Sequence, residues 1–306
     1  MGEARADALE DTGSAAGGDF PPRGGARRRA GGEISAGLLL LPLFAMLFVV
    51  FICPLVWFFV QTFAEVGRPA EILHLFARVL LSSAVEHTIL ATIWISLVVT
   101  IVVLLVAYPL AYVLSQSRGL AFTLITVSIV LPYFTSVIVR TYSWMVVLGR
   151  NGLINQVLLG LGVIHQPLAL MYNWLGVLIG MVYVLLPYMS LTLYAVMRGI
   201  DPNLLKAARS MGASGGTVFG RIYLPLSLPG VLSGSLIVFI LAIGFFITPA
   251  LMGGPGNVMI SMLIEQQVEL TLNWPLAAVM SLFLLVITIV LYSLYCRFAN
   301  VERMFG

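Results

Sequence analysis

Residues 88–115 read TILATIWISLVVTIVVLLVAYPLAYVLS and lie inside a longer run, 87–117, that holds no Asp, Glu, Lys or Arg. A helix of about 20 mostly apolar residues crosses the hydrocarbon core of a bilayer, so this stretch reads as a membrane span. Further charge-free runs occupy 34–64, 119–139, 151–197, 222–264 and 270–296. The best spans drawn from the six are 38–62, 88–115, 120–147, 174–197, 227–251 and 276–297. The expected fold class is therefore an all-α membrane protein with six transmembrane helices.

Composition excludes the alternative of a soluble globule. The 306 residues are 60% hydrophobic and only 9% charged, against roughly 45–50% and about 25% for ordinary soluble domains. Cys53 and Cys296 sit in apolar runs, and His74, His87 and His165 are isolated from one another and from any cysteine. Neither a disulfide framework nor a metal site is supported. Residues 1–33 are dominated by Gly, Ala, Pro and Arg and read as a disordered cytoplasmic tail. The apolar run after them is about twice the length of a signal-peptide h-region, so a cleaved signal is not expected. Residues 34–80 are then the first transmembrane helix and an extracytoplasmic segment, 81–297 the membrane domain proper with five helices, and 298–306 a cytoplasmic C-terminal tail. Two surplus pieces are set aside: 151–166, with Leu153, Val157 and Leu161 at helical spacing, as a short interfacial helix, and 252–257 (MGGPGN) as a loop.

The basic residues orient the spans. With six spans both ends share a side, and that side holds Arg5, Arg23, Arg27, Arg28, Arg29, Arg118, Arg198, Lys206, Arg209, Arg221, Arg297 and Arg303, which is 12 of the 16. Arg68, Arg78, Arg140 and Arg150 remain opposite. The positive-inside rule puts both termini in the cytoplasm. The net charge of +3 is explained by topology, so no nucleic-acid partner is expected.

The longest cytoplasmic connection, 201–225, reads DPNLLKAARSMGASGGTVFGRIYLP. Asp201 is a good N-cap and Pro202 fits the first helical position. Leu204, Ala207, Ala208 and Met211 recur at i, i+3, i+4 and i+7 on one apolar face, and Gly212 is placed to stop the helix. A second short helix is predicted from about Thr217 to Leu224, ended by Pro225. The result is a helix, a glycine turn and a second helix, with small residues along one side that let another backbone approach.

These residues resemble a known pattern. Ala207-Ala208, Gly212-Ala213-Ser214, Phe219, Ile222, Leu224-Pro225 and Pro229-Gly230 are similar to the EAA loop of ABC-importer permeases, with Lys206 standing where the family carries its glutamate. Over roughly 80–297, Leu131-Pro132-Tyr133, Val139 to Trp144, Gly149 to Asn155, Thr248 to Pro255, Ile264 to Gln267 and Asn273-Trp274-Pro275 resemble the spermidine/putrescine group of those permeases. The resemblance implies a type I importer with two cytoplasmic ATP-binding cassette subunits, an extracytoplasmic substrate-binding protein and two permease subunits. A heterodimer is favoured and a homodimer is possible. Leu204, Lys206, Ala207, Ala208, Met211, Gly212, Ala213, Ser214, Phe219, Ile222, Leu224 and Pro225 would then form the ATPase-coupling loop. A salt bridge from the family glutamate is not expected with Lys206 in its place. No P-loop motif occurs in the sequence, so no cofactor and no catalytic residue are expected in this chain, and ATP and Mg would belong to the partner ATPase subunits. A polyamine cargo is favoured, while relatives also carry aminoethylphosphonate, opines, iron or sulfate.

Polar and aromatic residues of the outer half are the substrate-pathway candidates: Tyr133, Arg140, Tyr142, Trp144, Glu265, Gln266, Glu269, Asn273 and Trp274. Glu265 and Glu269, at i and i+4, are the only acidic residues between Asp201 and Glu302 and would attract a cation. Two other readings compete. Ion-coupled carriers and channels place ionisable groups inside their spans, and here Arg140 is the nearest example, equally able to snorkel. Gly212 to Gly216 also matches the G-x-S-x-G nucleophile pattern and Gly212 to Gly215 the rhomboid-type G-x-S-G, but a serine nucleophile needs a base and no histidine follows His165.

Overall fold

The computed structural model describes residues 41–305. The expected N-terminal tail at 1–33, the start of the first span at 38–40 and Gly306 lie outside the described residues. The chain divides into two units between Phe58 and Phe59. Most of helix α1 (Leu41–Val66) belongs to the first.

A π-turn at Phe48–Ile52 interrupts α1, with the Cys53 N–H bonding back to the Phe48 carbonyl. Its place follows from Pro54. A proline inside a helix lacks an N–H and its ring collides with the carbonyl four residues back, and one wider turn just before it relieves the collision.

After the end of α1 the second unit continues with α2 (Pro69–Leu80) and α3 (Ser83–Gln116). Helix α4 (Gly119–Val130) runs into a 3₁₀ turn at Leu131–Phe134 and is followed by α5 (Val137–Leu148) and the short α6 (Leu153–Gly160). Then come α7 (Trp174–Arg198), α8 (Pro202–Ser210), α9 (Gly215–Ile243), α10 (Ile247–Met252), α11 (Ile260–Glu269) and α12 (Trp274–Phe305). No strand occurs among the described residues.

Five of these helices, α1, α3, α7, α9 and α12, are long and apolar enough to cross a membrane. The third expected span, 120–147, is not one rod. It is a pair, Gly119–Phe134 and Val137–Gly160, bent by 106°. The break falls at residues 135–136, just after Pro132, whose carbonyl accepts both the backbone N–H of Thr135 at 3.2 Å and its hydroxyl at 2.7 Å, closing a turn where a helix would continue. The fifth span also differs from its expected limits, 227–251. Gly244 caps it after Ile243, and α10 follows as a separate short helix. The last helix continues through the segment that the sequence reads as tail, as far as Phe305.

The core is a seam between α3, α7 and α9. Val99, Val103, Ala107 and Ala111 on α3 face Val177, Met181, Leu185, Met189, Leu193 and Met197 on α7, with Val238 and Ala242 of α9 joining them. A spacing of four keeps each series on one helical face. In lipid the helices gain nothing by hiding apolar surface, so van der Waals fit decides their packing. Gly234 shows the closeness of that fit: a Cβ there would lie 2.6 Å from the Met189 sulfur. Hydrogen bonds fix the register, between Tyr108 and Ser227 at 2.9 Å, and between Thr141 and Thr248 at 3.1 Å. A second cluster, Val79, Val85, Ile260, Val279 and Met280, lies at the other end of α3, where Thr92 Oγ1 accepts the Ile260 N–H at 2.9 Å.

Candidate functional site

The connection from α7 to α9 is built by local rules. Asp201 Oδ1 accepts the Asn203 N–H at 2.9 Å, and Pro202 sits in the first turn. At the other end Gly212 has φ +85°, a left-handed conformation that costs other residues about 1–2 kcal/mol. With it the Gly212 N–H reaches the Arg209 carbonyl at 3.0 Å and the Ala213 N–H the Ala208 carbonyl at 3.1 Å, the two bonds of a Schellman cap. Ser214 then caps the next helix, its Oγ accepting the Thr217 N–H at 3.3 Å. That role, and the absence of any later histidine, leave Ser214 without the base a nucleophile requires.

The exposed side of α8 carries Leu204, Lys206, Ala207 and Arg209, with Met211 82% exposed just beyond. The apolar series of α8 is therefore split: Ala208 is buried, and Leu205, absent from the expected face, packs on the core. Leu204, Ala207 and Met211 are left as an outward apolar patch.

Pro225 does not end the second helix, contrary to expectation. Gly215 to Ile243 is continuous, and a π-turn at Phe219–Tyr223 precedes the proline, with the Leu224 N–H bonding to the Phe219 carbonyl. This repeats the arrangement before Pro54. The turn is held by aromatic rings. Tyr223 packs edge-on against Tyr112 at 5.1 Å between centroids, and Phe219 edge-on against both Tyr108 and Tyr112. The Tyr223 and Ser115 hydroxyls lie 3.1 Å apart, and Arg198 Nη1 donates to the Ser115 carbonyl at 3.3 Å. The exposed helix α8 is thereby joined through short, well-packed segments to the ends of α3, α7 and α9. These partners, Tyr108, Tyr112, Ser115 and Tyr223, are 108 or more positions apart across the two helices and carried no local signal in the sequence.

The pathway candidates fall into groups on different elements. Tyr133 stacks edge-on against Tyr188 of α7 at 5.6 Å, and Trp144 against Tyr183 at 5.4 Å. Arg140 lies between them in sequence and is only 8% exposed, so it does not snorkel. Tyr142 is half-exposed and borders a different cavity with Arg150 and Tyr172. The remaining candidates lie on α11 and at the start of α12. Loss of water, and then the neighbouring Glu269 carboxylate, push the Glu265 carboxyl above its ordinary value. Gln266 is exposed, and Asn273 caps α12 by accepting the Leu276 N–H at 3.2 Å. Trp274 is 42% exposed. No cluster of three or more His, Cys, Asp or Glu suited to a metal ion occurs among the described residues.

Asn155 was quoted in the sequence only as part of a motif, and its role emerges from the fold. It is fully buried. Its amide nitrogen donates to the carbonyls of Gly149 and Leu168 at 3.1 and 3.0 Å, and its Oδ1 accepts the Leu168 N–H at 2.8 Å, clamping the irregular segment after α6.

Residues 104–300 match the family model described as "Binding-protein-dependent transport system inner membrane component". The "Spermidine/putrescine transport system permease protein PotB" of Haemophilus influenzae is 36% identical over 169 residues, covering 55% of this chain and 59% of that protein. Its Escherichia coli namesake is 37% identical over 169 residues, covering 55% of this chain and 62% of that protein. The matched segment thus spans about three-fifths of these relatives. Among solved structures, a bacterial alginate ABC transporter in complex with an alginate pentasaccharide-bound periplasmic protein shares the fold. Its TM-score is 0.66 at 16% identity, over 86% of this chain and 93% of that one.

Proposed function

We propose, from the premise that this chain belongs to the family of binding-protein-dependent transport system inner membrane components, that it is a permease subunit of an ATP-driven importer of type I. The observation that carries the proposal is α8. It is an exposed helix, rigidly capped at both ends, with an outward apolar patch and an aromatic-packed junction to the membrane helices. A body of this kind transmits the movement of a partner into the spans, which switch between inward-facing and outward-facing packings. The partner on this face is a pair of ATP-binding cassette subunits, which hold ATP and Mg. A second permease completes the path, and an extracytoplasmic binding protein delivers the solute. Both termini and α8 face the cytoplasm, as the basic residues require.

The favoured solute is a polyamine of the spermidine or putrescine kind, supported by the names of the relatives described above and by the paired Glu265 and Glu269, which favour a cation. Co-purifying the complex and identifying the solute retained by its binding protein tests cargo and stoichiometry together. The role of α8 is tested by Gly212→Trp. The space around Gly212 is open, and its left-handed backbone strains a Trp by only about 1–2 kcal/mol, so the protein is expected to insert, while uptake and substrate-stimulated ATP hydrolysis are lost. Normal uptake by this variant overturns the coupling role.

A further inference from the structure

Arg140 is left unexplained by the importer reading. Its Nε and Nη1 are buried and have no hydrogen-bond partner among the described residues. Beside it lies a cavity of about 420 Å³, walled by Pro132, Val139, Trp144 and Tyr183 together with Thr135 and Ser143. The two hydroxyls donate to the backbone carbonyls of Pro132 at 2.7 Å and Val139 at 2.8 Å, so their hydrogens are already committed. The cavity therefore presents one fixed positive charge in a mostly apolar wall.

An arginine cannot shed its proton in a protein, and a desolvated charge is retained only when paired. No hydrogen bond to a carboxylate balances Arg140 among the described residues, and we look for the anion on a neighbouring subunit. A polyamine has no anionic group and is repelled by a bare guanidinium. A phospholipid phosphate stays at headgroup depth, where a side chain reaching for it would be exposed, and Arg140 is nine-tenths buried. A carboxylate carried on an apolar helix satisfies both conditions, since the helix fills the cavity and a carboxylate oxygen forms a charge-assisted hydrogen bond with the guanidinium.

We propose that the Arg140 cavity is the socket for an Asp or Glu side chain of the second permease subunit. The inference rests on the two-permease assembly proposed above. It also gives the ion pair a purpose, because a neutralised Arg140 no longer opposes a cationic cargo.

The test uses the complete importer in nanodiscs, with this chain tagged. Arg140→Glu and Arg140→Gln are expected to lower recovery of the second permease on the order of tenfold or more, while the ATPase still co-purifies through α8. In the Arg140→Glu background, changing the acidic residues of the second permease to Arg one at a time is expected to restore recovery and uptake at a single position. That rescue also shows that the variant folds. Wild-type recovery and uptake with Arg140→Gln overturns the socket. So does failure of every reversal. A dependence on anionic lipid that vanishes with Arg140→Gln assigns the site to lipid, and loss of ATPase stimulation only with an acidic solute assigns it to cargo. Either result overturns the proposal. Loss of the ATPase from the wild-type complex instead bears on the importer reading itself, which keeps the two failures distinct.

Discussion

Single side chains in this protein carry structure that the spans alone would not hold. Asn155 is the clearest, because three hydrogen bonds converge on one buried amide. Asn155→Ala strands the Leu168 N–H without a partner, at a cost of about 1–3 kcal/mol for a buried group. It is expected to lower the unfolding temperature of the detergent-purified protein, and an unchanged temperature would refute the clamp. Glu265 is a different case, a carboxyl held above its ordinary value by loss of water and by Glu269. A carboxyl with a raised folded-state pKa binds its proton more tightly folded than unfolded. Its contribution is therefore greatest at low pH and is lost as pH rises from the unfolded value through the folded one. Removing the charge next door with Glu269→Gln is expected to flatten that decline, read as melting temperature against pH across the mildly acidic range. Both residues were within reach of the sequence, Asn155 as a motif letter and Glu265 as an i, i+4 pair. Their roles were not, because burial and the Leu168 contact arise from chain 13 positions away.

At the scale of elements, two π-turns each end two residues before a proline, at Pro54 and Pro225. In an ordinary helix the ring would strike the carbonyl four residues back, and the wider turn moves that carbonyl away. The second turn lies where α8 joins α9, so it sets the rotation between the exposed helix and the span. Pro225→Ala removes the need for the wide turn and permits ordinary α-helical pitch. The expected result is a stable protein whose ATP hydrolysis no longer drives uptake. Proportionate hydrolysis and transport by the variant would count against a role for the turn. The sequence placed a helix end at Pro225, since proline is a common stop signal. It could not weigh the packing of Phe219 and Tyr223 against Tyr112, which holds the helix together across the proline. The bend just after Pro132 is the converse. There Tyr133 packs edge-on against Phe134 and Tyr188 on the turn itself, the turn closes on the Pro132 carbonyl, and one expected span becomes two helices at 106°.

Across the whole molecule the proposed orientation is open to direct measurement. With Cys53 and Cys296 replaced by serine, a membrane-impermeant thiol reagent added outside intact cells is expected to label Val163→Cys and to spare Ser210→Cys until the membrane is breached. The reverse pattern would invert the topology and remove α8 from the ATPase side. The number of apolar runs, the placement of charge and the capping signals of α8 could all be read without a structure, because each depends on neighbours within a turn or two, or on hydrocarbon thickness alone. That was enough to determine a membrane protein of several spans with a shaped connection at 201–225, while the permease family entered through the resemblance of its motifs. Tertiary structure alone decided the rest: where the third span breaks, how Pro225 is carried inside a helix, and which polar groups are buried with or without a partner. These depend on side chains that meet across more than a hundred positions, as Thr141 meets Thr248, and no local pattern of residues encodes such a meeting. Arg140 shows the difference. In the sequence it is one basic residue near the end of a span, and only the packing of α7 against α5 buries it, with Nε and Nη1 lacking a hydrogen-bond partner among the described residues.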